Sequence, residues 1–115
     1  MAATLASATG IAGAAVTLTL PATSAVRHYI YQIQVDAYTT AARTGGAAPV
    51  TVTTTNLGTL AFTFGSAGAV GTVERDSVLA PNGVVSDVVG AATTIVCPAT
   101  TSVIWRVNVV FENAG

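Results

Sequence analysis

Two stretches of this chain alternate apolar and polar residues with a strict period of two. From Ser102 to Glu112, one face carries Val103, Trp105, Val107, Val109 and Phe111; the other carries Ile104, Arg106, Asn108, Val110 and Glu112. From Arg27 to Tyr38, Tyr29, Tyr31, Ile33, Val35 and Ala37 alternate with His28, Ile30, Gln32, Gln34, Asp36 and Tyr38. Successive side chains of a strand point to opposite faces, so both stretches read as long β-strands with one face on a core. The alternation assigns the first Arg27–Tyr38 set to the core and the second, with His28 and Ile30, to the wetter face.

The remaining elements follow from shorter alternations and turn residues. Val16, Leu18 and Leu20 alternate with threonines, and Pro21 closes that strand. Val50 to Thr55 is threonine-rich, and Leu60, Phe62 and Phe64 share a face after Asn56 and Gly58. Further strands are expected over Val70 to Leu79, Val84 to Val89 and Thr93 to Cys97, with Pro81-Asn82-Gly83 as a turn. Seven or eight short strands and no helical spacing predict an all-β, antiparallel sandwich or barrel, and the two-sheet sandwich is the reading taken. Met1 to Gly13 has no period and reads as an extended N-terminal arm, ordered by lying on a neighbouring subunit; residues 14–115 form the single sandwich domain. One internal echo stands out. Thr17 to Val26 parallels Thr94 to Val103, each with Pro-Ala-Thr before a long strand. The echo is either a coincidence of a biased composition or two equivalent corners of a two-sheet fold, and the corners are the reading taken.

Charge narrows the function. Only 8% of the 115 residues are charged, against about 25% in ordinary domains, and the net charge is −1. Nucleic acid calls for a clustered basic face, and an anionic membrane surface for a polybasic patch; four arginines supply neither. The apolar window Ile11 to Leu20 is broken by Thr17 and Thr19, so no membrane-spanning helix is expected, and a secretory leader would carry a basic start that is missing. A membrane barrel of at least eight strands of about 9–11 residues would consume about 72–88 of the 115 residues, leaving little for the many loops. The outward positions Ile30, Tyr38, Ile104 and Val110 are apolar, and a weakly charged apolar surface promotes association.

Reaction chemistry is not legible. Cys97 is the one cysteine, which excludes an internal disulfide and a cysteine metal cluster, and it reads as a small core residue. His28 and Asp36 share a face but are eight residues apart, roughly 26 Å along a strand. His28 is therefore read as a surface or interface residue whose loss is expected to cost at most roughly 0.5 kcal/mol. Glu74, Asp76 and Asp87 lack the spacing of a calcium loop and read as solvated acids, with Arg75 as local partner. Gly65, Gly68 and Gly71 make a loop with no following Lys-Ser/Thr, hence no phosphate cradle. Trp105 belongs to the core. No catalysis, cofactor or metal is expected.

Several segments together resemble the small phage virion proteins that decorate or cement capsids on a jelly-roll-like β-sandwich. They are Val16 to Pro21, Arg27-His-Tyr-Ile-Tyr-Gln-Ile-Gln-Val35, Leu60 to Phe64, Thr93 to Pro98 and the closing strand to Glu112. The resemblance implies a structural protein on the outer surface of the capsid, binding the major capsid protein as a homo-oligomer, with a trimer favoured. The candidate interface residues are Leu5, Ile11, Ile30, Tyr38, Arg43 and Ile104. The rival expectation is a receptor- or glycan-binding module of a tail or fibre, using Tyr38 and the Arg43 loop.

Overall fold

The computed structural model describes residues 3–46 and 48–114. Eight strands are present: β1 (Thr4–Thr9), β2 (Val16–Leu20), β3 (Arg27–Thr39), β4 (Val50–Thr55), β5 (Ala61–Phe64), β6 (Val73–Val85), β7 (Thr93–Cys97) and β8 (Val103–Ala114). They form two antiparallel four-stranded sheets, β1-β8-β3-β6 and β2-β7-β4-β5. The order has a simple origin. The chain is one long hairpin about the turn at 56–60, with β4 on β5, β3 on β6, β2 on β7 and β1 on β8. Successive pairs fall alternately in the two sheets, and that rolling of a hairpin is the jelly-roll topology. Asn56 and Gly58 at the turn have φ of 64° and 63°, a left-handed conformation that suits their types.

The core lies between the sheets. Val103, Trp105, Val107, Val109 and Phe111 of β8 are all buried, as the alternation predicts. Facing them, Leu18, Leu20, Val52, Phe62, Phe64 and Ile95 come from the other sheet. Phe64 meets Trp105 edge to face at 5.2 Å, a favoured aromatic geometry.

Three expectations are corrected. The first concerns the first half of β3. A bulge at Tyr31 shifts the register between Ile30 and Gln32 against both neighbours. One extra residue exchanges the two faces. His28 and Ile30 therefore point inward, each 1% exposed, while Ile33, Val35 and Ala37 remain inside. The second concerns Pro81-Asn82-Gly83, which does not end a strand. Ile30 pairs with Val84 and Gln32 with Leu79, so residues 80–83 are an outward excursion of β6 opposite Tyr31. Gly83 has φ of 80°, and a side chain there would meet Tyr31 at 3.4 Å. The third concerns the arm. Within residues 1–13, Met1 and Ala2 lie outside the described residues, and Thr4–Thr9 is a strand of the chain's own sheet, paired with β8. Ala6 and Ala8 pack on the core, and side chains so small disguise the alternation.

The echoed segments are equivalent corners. Both carry the chain from the β2–β7 pair to the β3–β8 pair. Ala25 and Ser102, at matching positions, have φ of 61° and 63°. Val26 N–H donates to Thr23 O at 3.1 Å, and Val103 N–H to Thr100 O at 3.2 Å. Each proline carbonyl accepts from the ring seven residues on, Pro21 from His28 Nε2 at 3.0 Å and Pro98 from Trp105 Nε1 at 2.9 Å. Leu18 and Ile95, also equivalent, pair with each other, so the two corners are related by an approximate two-fold axis beside them.

Candidate functional site

The outer face of the β1-β8-β3-β6 sheet holds three of the predicted interface residues, and strand register arranges its side chains in rows. Leu5, Val110, Gln32 and Leu79 form one row across all four strands. Next come Ser7, Asn108, Gln34 and Ser77, then Thr9, Arg106, Asp36 and Arg75. Ile104, Tyr38 and Val73 form the row beyond. An uncharged polar row and an ionic row thus lie between two largely apolar ones. Leu5, Leu79, Tyr38 and Val73 are exposed.

Within the ionic row, Asp36 accepts from Arg75 Nε at 2.7 Å and from Nη2 at 3.3 Å. That hydrogen bond, then the charge behind it, raises the Arg75 pKa above its ordinary value. Arg106 sits opposite Asp36 on β8 and, among the described residues, lies within 4 Å of no carboxylate. A shallow groove of about 320 Å³ runs over this row between Thr9 and Val73, with Tyr38 and Ile104 in its wall.

The other predicted residues are placed apart. Ile11, 75% exposed, and Arg43 belong to the loops at the Pro98 end of the sandwich. Arg43 is bridged to Gly68 through the backbone, and its Nη2 donates to Gly65 O at 3.3 Å. Its Nε is buried without a hydrogen-bond partner among the described residues. Beside it lies a cleft of about 360 Å³ lined by Ala42, Thr44, Val50, Ser66 and the 100–102 turn. Ile30 is a core residue and leaves the candidate set, because the Tyr31 bulge turns it inward.

His28 sits in a polar network that the sequence reading misses. A carbonyl only accepts, so Nε2 donates to Pro21 O, and Nδ1 is left to meet Thr93 Oγ1 at 2.7 Å. Thr93 Oγ1 accepts from Asn56 Nδ2 at 3.2 Å, and Asn56 Oδ1 accepts from Val88 N–H at 2.7 Å. The His28 backbone exchanges hydrogen bonds with Ser86, whose Oγ takes the His28 N–H at 3.0 Å. The network joins β3 and β7 to the 56–58 turn and the 86–92 loop. With His28 and Thr93 both buried, it holds structure together.

The acids do not converge. Glu74 accepts from Gly65 N–H, Asp76 from Ser77 N–H and Asp87 from Gly58 N–H, three separate backbone caps. Arg75 pairs with Asp36 instead of its neighbours in sequence. Among the described residues, no three of His, Cys, Asp and Glu gather around a possible metal position. Burial pushes the Cys97 thiol up to about 12, so it stays protonated and unreactive near neutral pH. No helix among the described residues is long and apolar enough to cross a membrane. No protein-family model matches the chain, and no curated protein matches it.

Proposed function

We propose that the chain is a structural virion protein, a decoration or cement subunit that binds the major capsid protein on the outer surface of a phage head. The observation that carries this reading is the surface of the jelly roll. Nine large apolar side chains stand exposed among the described residues, as many as the four arginines and five acids of the whole chain. Such a surface is costly in water and favourable once covered. Burial contributes about 25 cal/mol per Å² of apolar area, and repetition over a shell adds avidity to each modest contact. Ile11 and Val70, on loops at the Pro98 end, are the residues assigned to the shell contact. In this reading the protein binds without catalysis, cofactor or metal, and His28 serves the fold.

The test is add-back to particles depleted of the chain. Wild type is expected to rebind, and Ile11→Asp with Val70→Asp to rebind at least about tenfold more weakly while melting normally. Equal rebinding by both would overturn the assigned contact. The Arg43 cleft, with an arginine and several Ser and Thr residues at its walls, favours the second reading, a glycan-binding module of a tail or fibre. Retention on a glycan array that is lost in Arg43→Ala, with no rebinding to heads, would decide for it.

A further inference from the structure

We infer that the outer face of the β1-β8-β3-β6 sheet is a two-fold contact surface for a second copy of this chain. The resemblance implies a homo-oligomer without placing its contact; the face named here is tested on purified protein, so its failure leaves head attachment untouched.

The order of the rows sets the pairing. Consider a two-fold axis in the plane of the contact, running along the strands between β8 and β3. It lays β8 on β3 of the second copy and β1 on its β6, and each row meets itself reversed. Arg106 then faces Asp36 of the second copy, and Asp36 faces its Arg106. The uncharged row places Asn108 against Gln34. The flanking rows place Leu5 against Leu79 and Ile104 against Tyr38. In the first row Val110 meets Gln32 between the two leucine pairs, and in the ionic row the guanidinium without a carboxylate finds one. Asp36, already held by Arg75, is oriented to receive it.

An axis across the strands, centred on the same rows, lays the ionic row on the uncharged polar row, so Arg106 faces Asn108 of the second copy and finds no carboxylate. The charge pairing therefore favours the axis along the strands. Stacked sheets lie about 10 Å apart with strands within about 30° of each other, so the pairing is closest in the central columns, where Arg106, Asp36, Asn108 and Gln34 stand. Four strands spaced about 4.8 Å and four rows spaced about 6.8 Å give roughly 500 Å² per copy. The total, roughly 1,000 Å², is the least that a specific contact needs. The contact yields a dimer, not the three-fold cluster that the resemblance implies.

Two charge reversals test it. Arg106→Glu sets acid against Asp36 twice across the axis, and Asp36→Arg sets arginine against Arg106 twice. Each alone is expected to raise the dimer dissociation constant at least about 100-fold, since like charges across a contact are strongly disfavoured. An equimolar mixture restores both opposite pairs and is expected to form a heterodimer, seen by native mass spectrometry and sedimentation. Circular dichroism and melting confirm that both variants fold. If Asp36→Arg disturbs the sheet, Leu79→Glu, at an exposed position, is expected to weaken the dimer without lowering Tm. A wild-type monomer at micromolar concentration, a dimer or trimer indifferent to these changes, or a mixture that stays monomeric would each overturn the inference.

Discussion

At the corner after β7, Pro98 turns the chain into β8, and its carbonyl holds the indole of Trp105. At the corner after β2, Pro21 turns the chain into β3, and its carbonyl holds the imidazole of His28. The backbone device is the same, down to a left-handed residue before each strand. The rings differ, and so does what surrounds them. Trp105 presses an apolar face on Phe64 inside the core. His28 has a second nitrogen to satisfy, and around it Thr93, Asn56 and the 86–92 loop assemble a hydrogen-bonded chain. One corner is held by packing, the other by polar pairing, and they should fail differently.

The largest effect is expected at the packed corner. Trp105→Ala removes the biggest buried side chain and should cost about 3–5 kcal/mol, measured by denaturant unfolding. A variant that unfolds like wild type would break the β8 register. At the polar corner, His28→Ala should cost about 2–4 kcal/mol, because a cavity opens and the Pro21 carbonyl and Thr93 hydroxyl lose a partner. A cost within roughly 0.5 kcal/mol would instead restore His28 to the surface.

Alkaline pH should loosen the packed corner selectively. Cys97 immediately precedes Pro98, where the other corner has Leu20. Its folded pKa lies near 12 and its ordinary value is 9.0. Above about 9 the unfolded chain releases the thiol proton while the folded chain keeps it, so unfolding gains. The Cys97 contribution should be flat below that pH and fall by at most about 1.4 kcal/mol per unit above it, up to roughly 2–3 kcal/mol by pH 11. Cys97→Ala should lack this part of the decline; an identical alkaline profile would count against the buried thiol. Thr93→Val keeps the shape but breaks the link between His28 and Asn56, and about 1–2 kcal/mol is expected from thermal unfolding. The smallest effect tests what the corners share. Ala25→Gly and Ser102→Gly should each stabilise, by up to about 1 kcal/mol and by similar amounts, since glycine accepts positive φ without steric cost. Opposite signs at the two positions would separate the corners.

These corners also explain what could be read from the residues. The Pro-Ala-Thr echo carries the repeat openly, and the β8 alternation is unbroken, so Trp105 and its neighbours are placed correctly. The Tyr31 bulge leaves no such mark. Tyr29-Ile-Tyr-Gln-Ile33 contains no glycine or proline, and a single inserted residue reverses His28 and Ile30 without changing composition. The excursion at Pro81-Asn82-Gly83 is visible as punctuation, but its meaning depends on Tyr31 across the pair. β1 escapes notice because Ala6 and Ala8 carry too little apolar contrast to show a face. Of the candidate surface, Tyr38 and Ile104 are legible from alternation and prove to be direct neighbours in register. The Arg106–Asp36–Arg75 row is not, since it requires the pairing of three strands.

A reconstruction of particles that carry the chain tests whether this surface is built to be covered. Jelly-roll density is expected on the outer face of the head, seated where capsomers meet, with the Ile11 and Val70 loops against the shell and the Arg106–Asp36 row against a second copy. Density at a fibre or tail tip, or a subunit on the head with both of those surfaces bare, would contradict it.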